Sequence, residues 1–174
     1  AGAADAPVPR DPLPTEGAAW ADFNNDGFLD LYAANHVDWA SGACYPDYLW
    51  LNEGPPHYGF RDVSAASGVQ AVTRCGRGVN AADFDADGDV DVYVSNYRLN
   101  PDLLWLNQGT GNDGVPHFVD VARDRGVQGV EKFGDFAGAF GHTIGSVWGD
   151  LDRDGDTDMV AANLAHSAWL CFSD

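Results

Sequence analysis

The residues best placed to do chemistry are aspartates. The stretch "DFDADGDVD", Asp83 to Asp91, holds five of them in nine residues. Carboxylates this close repel one another unless a cation neutralises them. A hard divalent ion such as Ca2+ takes about six to eight oxygen ligands at ~2.3–2.6 Å. A loop of the form D-x-[DN]-x-D-G-x-x-D can supply them. Side chains come from positions 1, 3, 5 and 9, a backbone carbonyl comes from position 7, and the glycine at position 6 allows a sharp turn.

The same loop occurs three times. The first offers Asp22, Asn24, Asp26, the carbonyl of Phe28, and Asp30. The second offers Asp83, Asp85, Asp87, the carbonyl of Asp89, and Asp91. The third offers Asp150, Asp152, Asp154, the carbonyl of Asp156, and Asp158. The expected cofactor is therefore Ca2+, about three ions per chain. Mg2+ fits less well, because it holds a smaller octahedral shell with retained water. The competing explanation, a solvated Asp-Gly turn, suits one copy and not three with the same spacing. An EF-hand is excluded. Its position 12 needs Glu, and here that position is Ala33, Val94 and Ala161, on flanks that read as strands.

The elements that must hold these loops recur with them. "GAAWADFNNDGFLDLYAANH", "GVNAADFDADGDVDVYVSNY" and "GSVWGDLDRDGDTDMVAANL" align without gaps. Gly17, Gly78 and Gly145 lie five residues before the first Asp, and Asn35, Asn96 and Asn163 lie five after the last. A second phrase, "DYLWLNEG", "DLLWLNQG" and "HSAWLCFS", brings Trp50, Trp105 and Trp169 into register. A third, "FRDVSAASGV" and "FVDVARDRGV", closes the first two units. Each unit reads as short aromatic and β-branched strands between Gly, Pro, Asn and Asp. "VDVARDRGV" has room for one helical turn. The expected fold is all-β: tandem four-stranded antiparallel meanders of the β-propeller-blade type, two complete and one partial. The repeats run over about 15–72, 73–130 and 139–174, after an extended N-terminal segment at 1–14.

These residues resemble the FG-GAP/VCBS-type calcium-binding repeats of integrin α-like β-propellers. Nearest are the ASPIC/UnbV-like or cartilage-acidic-protein-like bacterial secreted proteins. The resemblance covers nearly the whole chain after about Glu16. It implies four-stranded blades with Ca2+ in the loop between the first two strands. It also implies an extracellular or cell-surface setting and roles in adhesion, ligand binding or assembly. Asn24 departs from the aspartate of the other loops, and Cys171 stands where they have Asn52 and Asn107.

Composition narrows the partners. The 174-residue chain has a formal net charge of -18, which argues against nucleic acid and anionic membrane surfaces. Three Ca2+ would leave about -12 (-18 + 6). No apolar run is long enough for membrane insertion. Cys44 and Cys75 can pair; the alternative is two free, partly buried thiols. No catalytic residues are expected, since the clustered aspartates already have ligand roles. The histidines form no metal-spaced pair, and no GxSxG nucleophile motif occurs. His57 and His117 read as structural features of the repeat. The recurrent tryptophans suggest packing between blades from an inner strand, with a carbohydrate-stacking row as the alternative. Trp39 and Tyr45 lie in the extra loop "VDWASGACYPD", the best local candidate for a contact surface.

The third unit lacks its last phrase, so a strand edge should be unpaired and open to another strand. The segment 1–14 could fill it, within one molecule or from the next, or could be a Pro-rich linker. The functional expectation is a structural or adhesive assembly module, with protein subunits as partners through a homo-oligomer or filament. The alternative is a ligand- or carbohydrate-binding fragment of a larger β-propeller.

Overall fold

The computed structural model describes residues 13–129, 131, 139–164 and, as backbone, 169–171. The described residues form three antiparallel sheets in succession. The first is β1 (Thr15–Ala21), β2 (Asp30–Asn35), β3 (Tyr48–Asn52) and β4 (Phe60–Asp62). The second is β5 (Gly76–Ala82), β6 (Asp91–Asn96), β7 (Leu103–Thr110) and β8 (Pro116–Asp120). The third is β9 (Thr143–Gly149), β10 (Asp158–Asn163) and β11 (Trp169–Cys171). Each sheet pairs in chain order, as a meander does. The all-β reading and the blade-like meanders are thus observed. Residues 1–12 and those beyond β11 lie outside the described residues, and the expectations for the N-terminal segment and for the third blade's edge fall there.

Backbone register makes the copies equivalent. Trp20 pairs with Leu31, Ala81 with Val92, and Trp148 with Met159. One step along, Ala19 pairs with Tyr32, Asn80 with Tyr93, and Val147 with Val160. Side chains alternate across a strand, so these two sets lie on opposite faces. The Tyr32 and Tyr93 set faces the next blade, and the Leu31, Val92 and Met159 set faces the previous one. Burial on both faces explains why β2 and β6 are nearly continuous apolar runs, fully or almost fully buried.

The blades meet along their first strands, β1 against β5 and β5 against β9. A Cβ added at Gly17 would lie 2.5 Å from the carbonyl oxygen of Arg77. One added at Gly78 would lie 3.1 Å from the backbone of Gly145 and Ile144. The repeated glycine is a close-approach residue. Trp105 packs between blades from the third strand, an inner strand of its sheet, as expected, whereas the side chain of Trp169 lies outside the described residues. Trp105 on β7 is buried and donates its Nε1–H to the hydroxyl of Tyr32 in blade one, at 3.0 Å. Trp50 on β3 is also buried and stacks on Tyr48, with centroids 5.0 Å apart.

Other contacts join the blades. Cys44 and Cys75 form a disulfide from the β2–β3 loop of blade one to the residue before β5. Trp148 of blade three packs on Phe84 and Tyr93 of blade two, with centroids 6.2 and 6.1 Å away. The side chain of Asn80 donates to the carbonyl of Ser146. After β8 the chain makes a hydrogen-bonded turn, Arg125 N–H to Val121 O at 3.0 Å, and no helix. The sequence there ends its turn at Gly126, with φ +71°.

Candidate metal centre

All three acidic loops join the first strand of a blade to the second: β1–β2, β5–β6 and β9–β10. Their backbones share one conformation. Position 4 is left-handed in every copy, at Asn25 (φ 59°), Ala86 (59°) and Arg153 (68°). The position-6 glycines, Gly27, Gly88 and Gly155, are at 90°, 95° and 99°. Asn accepts the left-handed region readily, whereas Ala and Arg do so at a cost of roughly 1 kcal/mol or more. The loops are held in this shape from within. The Asp22 carboxylate accepts the N–H groups of Asp26 (3.0 Å) and Gly27 (2.8 Å), and Asp83 accepts those of Asp87 (3.1 Å) and Gly88 (2.9 Å). In the third loop Asp150 accepts the N–H of Arg153 at 2.6 Å.

Position 9 is the anchor. Asp30, Asp91 and Asp158 are buried at the start of the second strand. Each accepts the N–H of loop position 2: Phe23 (3.0 Å), Phe84 (3.1 Å) and Leu151 (2.8 Å). The other oxygen of Asp30 accepts the N–H of Asn52, and that of Asp91 the N–H of Asn107, both at 2.8 Å. One carboxylate thus ties the loop to its own strand and to the third strand. Burial pushes the pKa of Asp30 from 3.8 up to about 6 and that of Asp91 to about 7, against the lowering effect of those N–H groups. Burial also raises Asp85, with Asp87 and Asp83 adding to it.

The carboxylate oxygens of Asp83, Asp85 and Asp91 all lie within 4.8 Å of one another, as do those of Asp150, Asp152 and Asp158. Positions 1, 3 and 9 therefore converge in the second and third loops. In the first loop position 3 is Asn24, whose amide donates to Asp26 at 2.9 Å. Position 5 also braces the turn: Asp26, Asp87 and Asp154 each accept the N–H of position 7, from Phe28, Asp89 and Asp156 at 2.9–3.0 Å. The side chain of Asp89 accepts from Asn25 at 2.6 Å and so joins neighbouring loops. The donor set is hard oxygen throughout, and carboxylates that converge on one buried position-9 member favour a cation.

Two supporting residues escaped the motif-based reading. Asn52 and Asn107 give their N–H groups to position 9, and their side-chain amides donate to the position-8 carbonyls of Leu29 and Val90, both at 3.2 Å. Their signal was the repeated "WLN" phrase. Asp47 and Asp102, also buried, lock the β2–β3 and β6–β7 loops. Asp47 accepts from the Tyr32 hydroxyl (2.7 Å) and the Asn35 N–H (2.9 Å). Asp102 accepts from Tyr93 (2.9 Å) and the Asn96 N–H (2.6 Å).

Residues 22–94, which run from the first acidic loop through the second to β6, match the model of the FG-GAP-like repeat family. The chain is similar to cartilage acidic protein 1 of Xenopus tropicalis, 36% identical over 80 residues, 46% of this chain and 12% of that protein. The Homo sapiens protein of the same name is 38% identical over 77 residues, 44% of this chain and 11% of that protein. The match thus spans a small part of the length of these curated relatives.

Proposed function

We propose that each acidic loop binds one Ca2+ and that the chain is an extracellular, non-catalytic structural or adhesive module stabilised by about three such ions. The observation that carries this reading is the convergence of Asp83, Asp85 and Asp91, and of Asp150, Asp152 and Asp158, onto buried position-9 carboxylates. Positions 1, 3, 5 and 9 would hold the ion with their side chains and position 7 with its carbonyl. The ion would supply the positive charge that such a carboxylate cluster, with one member buried, otherwise lacks. An oxidising extracellular compartment is supported by the Cys44–Cys75 disulfide. The likeness to proteins named for cartilage and acidity, in a chain of net charge -18, points the same way.

Calcium at about 100 times its Kd adds about 2.7 kcal/mol per site. For a chain of this size that is roughly 5–10 °C in Tm. EDTA should lower the melting temperature by at least that much, and metal analysis should find about three ions per chain. Asp85→Asn should cost stability only when calcium is present. Asp91→Asn should cost it in both conditions, because its carboxylate also holds Phe84 and Asn107. A melt unchanged by EDTA defeats the metal assignment.

A second reading has its own observation. Trp39 is 68% exposed on the 36–47 loop clamped by the disulfide, with the Arg98 guanidinium 5.8 Å from its ring centroid. An aromatic platform beside a cation suits a saccharide. Titration with an oligosaccharide panel, repeated on Trp39→Ala, tests it; no binding to the wild type removes the reading.

A further inference from the structure

The acidic loops of blades one and two are tied to each other as well as to their own sheets. The buried side-chain amide of Asn107 donates to the carbonyl of Phe23 in the first loop at 2.9 Å and to that of Val90 in the second at 3.2 Å. Both of its hydrogens are thereby used. Thr110, at the end of β7, donates its hydroxyl to the carbonyl of Asn24 at 3.1 Å. Asn25 crosses in the other direction. Its side-chain amide donates to the Asp89 carboxylate at 2.6 Å, with the Gly88 carbonyl 3.4 Å away.

These links touch different parts of the loops. Asn107 joins positions 2 and 8, neither of which offers a ligand, so it sets the spacing of the loops whether or not an ion is bound. Thr110 runs from β7 to the backbone of the first loop and does not touch the second loop. Asn25 holds position 7 of the second loop, the residue whose carbonyl is a candidate ligand. Asn25 itself stands between Asn24 and Asp26, both candidate ligands of the first loop. One hydrogen bond therefore connects ligand-bearing segments of the two loops. The second loop cannot make the equivalent bond to the third. Its position 4 is Ala86, at the same φ of 59° as Asn25, and a methyl group has no hydrogen to donate.

The first loop has the most to gain from such a connection. Asn24 stands where the other loops have Asp85 and Asp152, which leaves the first loop one ligand carboxylate short. An ion that draws in the Asp89 carbonyl fixes position 7 and, with it, the carboxylate that holds Asn25. Position 4 of the first loop is then ordered before its own ion arrives, and less ordering is left for that ion to impose. Charge does not oppose the pairing, because the five aspartates of the second loop still outweigh the two charges of one Ca2+.

We infer that the first and second loops take up Ca2+ as a coupled pair, with Asn25 as the positioning residue between them, and that the third loop fills on its own. This rests on the calcium reading proposed above. Linkage makes the effect reciprocal: an ion in either loop tightens the other by the same factor, roughly 5–150-fold for couplings of this kind.

Titration of the 174-residue chain with Ca2+ at physiological salt tests the inference, followed by the amide NMR signals of Gly27, Gly88 and Gly155. These are the position-6 glycines, so each loop reports its own midpoint. Asp85→Asn weakens the second loop. It should raise the calcium midpoint of Gly27 at least about fivefold and leave that of Gly155 in place. Asn25→Gly removes the exposed amide and keeps the left-handed backbone. Adding Asp85→Asn to that variant should leave the Gly27 midpoint where Asn25→Gly alone puts it. The inference is overturned, with calcium binding left standing, by a Gly27 midpoint that Asp85→Asn does not move or moves together with that of Gly155. It is overturned equally by a shift of the same factor with and without the Asn25 amide, which is what charge alone would give. Signals of all three glycines that ignore Ca2+ overturn the calcium reading and this inference together.

Discussion

Asp102 gives the chain a pH dependence whose sign and size follow from its surroundings. It is buried between blades two and three, where it accepts the Asn96 N–H and the hydroxyls of Tyr93 and Thr143, the last at 2.7 Å. Burial pushes its pKa from 3.8 up to about 7, although all three donors favour the charged form. The Tyr93 hydroxyl also lies 3.0 Å from the Val127 carbonyl, so it can donate there and accept from a protonated Asp102. A folded value above the unfolded one means that the native chain holds the proton more tightly. Asp102 therefore contributes stability in full below about pH 4, and that contribution is lost as pH rises through about 7. Between pH 5 and 8 the loss integrates to about 2–3 kcal/mol, or roughly 5–10 °C in Tm. Asp102→Asn keeps the shape and an acceptor for Asn96, while the two hydroxyls can turn to accept from its amide. The variant should lose this slope. Thermal melts of wild type and Asp102→Asn at pH 5, 6, 7 and 8 in saturating calcium isolate the effect. A Tm difference between the two that stays constant over this range refutes the reasoning.

Two further outcomes are expected. Reducing the Cys44–Cys75 disulfide, which closes a loop across a separation of 31 residues, should remove about 3–4 kcal/mol of chain-entropy stabilisation; equal melts with and without reductant would contradict this. Gly17→Ala should destabilise by about 1–3 kcal/mol, because its Cβ would meet the rigid carbonyl of Arg77, while Gly145→Ala should be close to neutral. Equal losses in urea denaturation would show that close approach is not what the repeated glycine provides.

The sequence announced the loops and the meander clearly, because both are local. Position 6 is glycine at a φ near +90° in every copy, and the candidate ligand residues alternate within nine positions, so the motif survives without any tertiary information. The part played by the first strands was harder to read: β1, β5 and β9 face one another at the blade junctions, where glycine lets their backbones come close. The need for a small residue at Gly17 becomes visible only once the backbone of Arg77 stands opposite it. Asp47 and Asp102 were hidden for a related reason. Each looks like an ordinary Pro-Asp turn until a tyrosine from the preceding strand reaches it. Blade three changes both members together, with Val160 for the tyrosine and His166 for the aspartate. The coupled change was visible in the repeats, but its meaning depends on the hydrogen bond.

The acidic loops and the faces between blades belong to one device. Loop position 2 gives its N–H to the buried position-9 carboxylate and its side chain to the next blade. Phe23 does so for Asp30 and Phe118, and Phe84 for Asp91 and Trp148. The charge state of position 9 therefore bears on where an interface residue stands. A cation that keeps Asp91 ionised strengthens the bond from the Phe84 N–H, since bonds to a charged acceptor are about twice as strong as neutral ones. The same cation thereby steadies the ring on which Trp148 packs. Leu151 is held by Asp158 in the same way, at the face where no blade covers it among the described residues. On this geometry a cation bound at the loop would have its consequence at the junction between blades.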